Sequence, residues 1–408
     1  QHCKKLNFNE HKSVKSTLNH ENFKILRKKF LKGQRHAGCK KCYQHDDNKD
    51  NNFDSMRKWF NETFKDDEVV DSVLNTQEDG TIETSPIRYL DIRFGNICNL
   101  KCRMCGHGLS STWYDEIKKL VEQEGQPYHN PKFVHVDCYE KIEPLLPYVQ
   151  QIYFAGGEPI LYPEHTKMLD KLIEIGNTDC KLRYNTNLSS LHYKKRYMPD
   201  IWKNFSDVQV GASIDSMGPN VEYIRTGLKW DRFKSNYETL LHAGHVDLYP
   251  APTIGILNIE DYIDFAKFII ENKWQEASMF QPNFVAWPEE QNPSILPDWY
   301  KDELIEKYKN HITWLDKQNK ASAVRQKPGI ENVINFIQQN TIPKHKHEDL
   351  LIRLWKRLWN FNNSANLNWT GSCPKLWHFY KKHAEISDRW YVENGTPYLK
   401  AEYDKVYQ

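Results

Sequence analysis

Three cysteines crowd into eight residues in the run Asp91-Ile-Arg-Phe-Gly-Asn-Ile-Cys98-Asn-Leu-Lys-Cys102-Arg-Met-Cys105-Gly-His107. Soft thiolates at this spacing suit an iron–sulfur cluster or zinc. A closed structural zinc site takes four ligands, usually as two C-x-x-C pairs. Three local ligands leave one metal corner open, which favours a cubane with one iron accessible to a small molecule. Structural zinc and plain buried thiols are the alternatives on spacing alone.

The cysteines sit where a strand must give way to a loop. Tyr89-Leu90-Asp91-Ile92-Arg93-Phe94 alternates apolar and polar residues, and Gly95 and Asn96 end the run. Further candidate strands are 150–155, 181–186, 208–214, 250–256 and 279–285, after a first at 88–94. Between them lie helical stripes: Met168, Leu169, Leu172 and Ile173, then Trp230, Phe233, Tyr237, Leu240 and Leu241, then Tyr262, Phe265, Ala266 and Ile269. Gly176 and Gly244 close the first two. Such alternation predicts a parallel sheet with right-handed crossovers, whose ligands bind at the carboxyl ends of the strands. Residues 123–139 read as an insertion between the first helix and the second strand.

Unusual residues fall at those strand ends. Gly156-Gly157-Glu158-Pro159 follows the second strand; glycines let backbone approach a ligand, and a carboxylate can hold an ammonium group. Taken alone it is a tight turn. Asn187 follows the third strand, Ser213 and Asp215 the fourth, and Arg225 lies in Tyr223-Ile-Arg225-Thr-Gly227. Loop hydrogen bonding is the alternative for Asn187 and Ser213, and turn capping for Asp215.

Cys98-x-x-x-Cys102-x-x-Cys105 followed by Gly156-Gly157-Glu158-Pro159 resembles the signatures of the radical S-adenosylmethionine enzymes. The resemblance implies an α/β fold, a partial (β/α)6 TIM-type barrel. It implies a catalytic 4Fe–4S cluster on Cys98, Cys102 and Cys105, with S-adenosylmethionine on the open iron. Gly156, Gly157 and Glu158 would meet the methionine amino group, and Arg225 its carboxylate. Ser213 and Asp215 match the ribose site by position, Asn187 is a further cofactor contact, and 252–258 would pack near adenine. Met104 stands where the family usually has an aromatic residue, so a ring against adenine is lost.

The 408 residues, 39% hydrophobic and 27% charged, have the composition of a soluble globular protein of two or three domains. A net charge of +2 gives no global drive toward nucleic acid or membrane, and no apolar run approaches the roughly eighteen residues of a membrane helix. The start at Gln1 leaves room for an upstream piece. Nine cysteines, an odd number in C-x-x-C-like groups, point to a reducing compartment, the cytoplasm by default.

The expected domains are an N-terminal segment (1–75), the barrel (76–290) and a helical C-terminal region (291–408). The first is polar, with one helix expected from about Phe23 to Leu31, capped by Asn22 and stopped by Gly33. It also carries Gly38-Cys39-Lys-Lys-Cys42 and Ser55-Met-Arg57; its basic cluster reads as a solvated face. A C-x-x-C pair is a metal half-site or a redox pair. The segment resembles the iron–sulfur segment of twitch/SPASM-type radical S-adenosylmethionine proteins. That implies an auxiliary iron–sulfur cluster on Cys3, Cys39 and Cys42. Its fourth position is left to Cys373, an upstream cysteine or an open site facing substrate, and zinc is the rival metal. Cys138 and Cys180 read as packed thiols and His107 as a solvated loop residue. In the C-terminal region, Leu304, Tyr308, Ile312 and Leu315 mark one helix and Leu351, Trp355, Leu358 and Trp359 another, the tryptophans as packing.

The resemblance implies reductive cleavage of S-adenosylmethionine to a 5′-deoxyadenosyl radical, which takes a hydrogen from a substrate. A peptide or protein is the expected substrate, a sugar or other small metabolite the alternative, and a flavodoxin or ferredoxin the expected electron donor. A non-catalytic zinc or iron–sulfur binding module is the reading from a different class; bound iron against bound zinc separates the two.

Overall fold

The structure, a computed structural model, describes residues 13–47, 55–83, 87–123, 134–135, 137–274, 281–339 and 341–400. It divides into two compact units, one of residues 1–90, 137–152 and 167–180, the other of 91–136, 153–166 and 181–408.

A parallel sheet of five strands carries the strand ends of interest. Its strands are β1 (Tyr89–Ile92), β2 (Gln151–Phe154), β3 (Lys181–Thr186), β4 (Val208–Ala212) and β5 (Asp247–Pro250), in the spatial order β1-β2-β3-β4-β5. Leu182 pairs with Val208 and Thr186 with Ala212, so β3 and β4 end level. Aromatic rings fill the sheet's interior: Phe154 stacks on Tyr184 at 5.1 Å, and Tyr184 meets Trp202 at 5.2 Å. His165 Nε2 lies 2.9 Å from the Tyr184 hydroxyl, and burial pushes the ring down to about 3, holding it neutral. The three expected helices form as Pro163–Glu174, Trp230–Ala243 and Tyr262–Glu271.

The expected strand 250–256 is a correction. β5 stops at Pro250, and Thr253–Ile254 pairs instead, in parallel, with Asn283–Phe284 as a separate ladder. Pro250 and Pro252 lack the N–H a continuing ladder needs. Among the described residues the main sheet therefore has five strands where six strand–helix units were expected, and Thr253–Ile254 with Asn283–Phe284 stands apart as a short pairing.

In the first unit the expected helix runs Glu21–Leu31, and its cap is His20, whose Nδ1 accepts from the Asn22 N–H, rather than Asn22. The Ser-x-Arg element has a structural use. Ser55 caps the helix Met56–Thr63 by accepting from Lys58 N–H, and Arg57 pairs with Asp46 at 2.6 Å.

The C-terminal region holds the helices Asp298–Asp316, Ala321–Gln338, His347–Ala365 and Pro374–Ile386, then the hairpin Trp390–Glu393/Thr396–Leu399. Trp355 packs edge-on to Trp369 and Trp390 at 5.6 and 5.2 Å, so the tryptophan stripe is core. No described helix is long and apolar enough to cross a membrane.

Candidate active site

The three-cysteine loop leaves the carboxyl end of β1 and is braced from several sides. Asn96, buried, donates through Nδ2 to His107 O at 3.1 Å and to the Tyr114 hydroxyl at 2.7 Å, closing the loop's two ends. Within the loop, Leu100 O accepts from the Ser110 and Thr112 hydroxyls at 2.6 and 2.8 Å. Lys101 and Cys102 pair antiparallel with Thr226 and Arg225, which fastens the middle cysteine to the segment after β4.

The Gly-Gly-Glu-Pro turn lies directly on this loop. Glu158 N–H donates to Ile97 O at 2.8 Å, and Gly157 has φ +50. A Cβ on Gly157 would stand 2.3 Å from Ile97 O, and one on Gly156 (φ +77) 2.9 Å from Arg93 Cβ. The missing side chain of Gly157 thus makes room for the cysteine loop, and that of Gly156 for Arg93.

Glu158 is 3% exposed, and its carboxylate accepts from the Thr186 hydroxyl at 2.7 Å and from Asn187 N–H at 2.8 Å. Burial pushes its carboxyl up to about 7 against those hydrogen bonds. Asn187 in turn reaches the cysteine loop, its Nδ2 lying 3.0 Å from Asn99 Oδ1 and 4.0 Å from Cys98 Sγ. The ends of β2 and β3 and the cysteine loop therefore form one connected set.

Arg225 and Asp215 are brought together. The guanidinium donates twice to the Asp215 carboxylate, at 2.6 and 2.8 Å, and its Nη1 lies 3.8 Å from Cys102 Sγ. Although burial opposes the charge, the Asp215 carboxylate holds the Arg225 guanidinium well above its ordinary value. Asp215 also accepts from Thr253 N–H at 2.8 Å. Ser213 is half-buried, with its backbone N–H on Thr186 O.

The sulfurs suit a cluster by their chemistry. Cys102 and Cys105 hydrogen-bond each other, which raises the Cys102 thiol and lowers that of Cys105; burial pushes Cys98 up to about 11. Bound iron would replace those protons, and the neighbouring Arg225 charge favours thiolates there. Among the described residues no group of three or more His, Cys, Asp and Glu closes on one point as a single metal ion needs. A cubane offers a separate iron to each thiolate, so its ligands need not share such a point.

Cys39 ends a 3-10 turn, Ala37–Cys39, and Cys42 lies in the helix Lys40–Asp47, both half-buried. Cys3 falls outside the described residues. Cys373 is fully buried with its sulfur 3.4 Å from Asn220 Nδ2, and burial pushes its thiol up. Cys180 is buried, Cys138 half-buried and His107 exposed.

Sequence reasoning passed over Asn96, Thr186 and Arg103. A polar residue ending a strand beside a ligand loop was the only signal for the first; Arg103, standing between two ligands yet 1% exposed, gave none.

Residues 92–269 match the Radical SAM superfamily. No protein of curated function matches the sequence. Among solved structures, the chain resembles Streptococcus suis SuiB bound to precursor peptide SuiA, with 16% identity and a TM-score of 0.41 over 72% of this chain and 59% of that one. It also resembles native anSMEcpe with bound AdoMet, with 14% identity and a TM-score of 0.38 over 55% and 61% of the two chains. TYW1 with a lysine–pyruvate adduct is 14% identical, with a TM-score of 0.32 over 54% and 72%. The chain spans less than two thirds of the SuiB chain it matches. The match makes residues 92–269 a radical SAM domain.

Proposed function

We propose that this chain cleaves S-adenosylmethionine reductively and abstracts a hydrogen atom from a peptide or protein substrate. The observation that carries the reading is the Gly-Gly-Glu turn hydrogen-bonded onto the three-cysteine loop. Cys98, Cys102 and Cys105 would hold a 4Fe–4S cluster, which supplies, when bound, the electron that splits a sulfur–carbon bond of S-adenosylmethionine. The protein's work is to bind, orient and exclude water. Glu158, ionised, can take an ammonium group, and Thr186 and Asn187 aim its oxygens. Arg225, oriented by Asp215, offers a cation beside Cys102 for a carboxylate. Asp215 has its oxygens engaged by Arg225 and Thr253, so the ribose contact falls first to Ser213.

A docked peptide is favoured by Trp287, 74% exposed just beyond the Asn283–Phe284 strand, an apolar contact beside a strand's carboxyl end. The test is a product assay with the anaerobically reconstituted protein, a chemical reductant, peptides encoded beside its gene, and a panel of sugars and other small metabolites. 5′-Deoxyadenosine with a mass change in a peptide supports the reading. A mass change only in a sugar or other metabolite transfers it to that class, and no 5′-deoxyadenosine at all would overturn it. A flavodoxin or ferredoxin is the proposed electron donor.

For the N-terminal segment we retain the auxiliary cluster as a proposal. Cys39 and Cys42, one helical turn apart, can clasp one metal corner, and Arg57 nearby adds positive charge to Cys42's surroundings. Cys3 would be their partner ligand, and an open site the fourth.

A further inference from the structure

Arg103 lies between two of the cluster cysteines and is 1% exposed. Its guanidinium is boxed by three aromatic rings: Phe361 at 4.3 Å, Trp113 at 5.2 Å and Tyr223 at 5.5 Å. Nη2 donates to the Thr226 hydroxyl at 2.7 Å, and Nη1 reaches Glu116 at 3.4 Å. The residue's backbone is held as firmly, its N–H on Ile224 O and its carbonyl accepting from Gln291 Nε2, both at 2.7 Å. Phe361 belongs to the helix His347–Ala365, which is fixed again by Arg357 on Glu290, next to Gln291, at 2.6 Å. A buried guanidinium is costly unless its charge is answered, and here Glu116 and three ring faces answer it together.

We propose that Arg103 is a positioning residue: caged by Phe361 of the C-terminal region, it holds the three-cysteine loop in the shape that accepts and keeps the cluster. This rests on the radical SAM reading of Cys98, Cys102 and Cys105. It gives the helices beyond the matched domain a task at its centre. The cage anchors a cation within one residue of Cys102, and the loop cannot swing outward without withdrawing that cation from the rings.

The experiment uses the full chain, reconstituted anaerobically, with two readouts: the rate of iron release to a chelator and the cluster's midpoint potential. Phe361→Leu keeps apolar bulk and loses the ring face; Phe361→Tyr keeps the ring face. Arg103→Met removes the charge while Lys101, 2.9 Å from Glu116, still answers that carboxylate. Losing a desolvated cation–ring contact should speed iron release about tenfold in Phe361→Leu and Arg103→Met, while Phe361→Tyr stays near wild type. Arg103→Met should also lower the midpoint potential, because a fixed positive charge that favours the added electron is gone. Leu and Tyr variants with equal release rates, or Arg103→Met matching wild type in both readouts, would overturn the cage even if melting temperatures fell. If the wild-type chain itself assembles no 4Fe–4S cluster, the radical SAM reading fails first and the cage with it.

Discussion

Arg225 and Asp215 meet in a two-pronged ion pair at 2.6 and 2.8 Å inside the protein, and the guanidinium's remaining edge faces the sulfur of Cys102 at 3.8 Å. The pair joins two otherwise separate segments, because Asp215 follows β4 and Arg225 is laddered to Cys102. Thr253 N–H on the same carboxylate draws in the stretch after β5. A cation is thereby fixed beside the cysteine loop before any ligand arrives, so binding an anionic group there costs little reorganisation.

Breaking that pair from one side should be severe. Asp215→Asn leaves Arg225 charged, buried and half-answered, which is expected to cost about 3–5 kcal/mol. Urea unfolding of the ligand-free protein measures it. A cost below about 1 kcal/mol would mean that water already reaches the pair.

Glu158 should leave a mark on the pH dependence of stability. Its carboxyl sits near 7 in the fold against 4.5 in a free chain, so the folded form holds an extra proton between those values. Stability of the ligand-free protein should therefore fall as pH rises from 4.5 to 7 and then level off. Glu158→Gln should erase this contribution, roughly 3 kcal/mol across the window. The same variant should bind S-adenosylmethionine more weakly by about 1.5–3 kcal/mol, with the cluster spectrum unchanged. Calorimetry that finds equal affinity would leave the carboxylate a purely structural role.

What the sequence made legible follows the range of the forces involved. The cysteine spacing, the Gly-Gly-Glu-Pro turn and helix stops such as Gly244 (φ +71) are local, and each appears at its expected place. The break at Pro250 and Pro252 was local too: two missing N–H donors inside the expected strand 250–256 divide it. The helix Ala321–Gln338 was not expected; it carries Pro328 in its interior, and packing of Ile330, Val333 and Ile337, all buried, sustains it. Pairings such as Arg225 with Asp215, or Arg103 with Phe361, depend on the tertiary fold, and a single sequence carries no signal of them. The glycines of the turn fall between: their need for space was legible, but not that Ile97 would fill it.

Gly157→Ala tests that close approach. The residue sits at φ +50, and a Cβ would come within 2.3 Å of Ile97 O, a backbone atom that cannot step aside. The fold should lose about 2 kcal/mol or more, and the cysteine loop should shift with it. Hydrogen exchange should show faster opening at Ile97 and its neighbours. Wild-type protection there would mean that the turn and the loop are not coupled.

The two groups of cysteines should separate cleanly by metal content. Cys102→Ala leaves only two local ligands in the loop, too few to hold a cubane, so 5′-deoxyadenosine formation should vanish. Iron and sulfide should fall by the share of one cluster. Cys39→Ser/Cys42→Ser should remove the other share, about half of the total for two like clusters, and leave S-adenosylmethionine binding intact. The N-terminal segment should also loosen in the double variant, because its helices Glu21–Leu31, Met56–Thr63 and Asp67–Leu74 have no fully buried residue among them. A cluster would add a cross-link to the ring contacts of Trp59, Phe60 and Phe64. Wild-type protein with one cluster's iron and stoichiometric zinc would reassign Cys39 and Cys42 to a zinc site and leave the barrel cysteines as they stand. Wild-type turnover by Cys102→Ala would do the reverse, removing the catalytic assignment whatever the N-terminal metal proved to be.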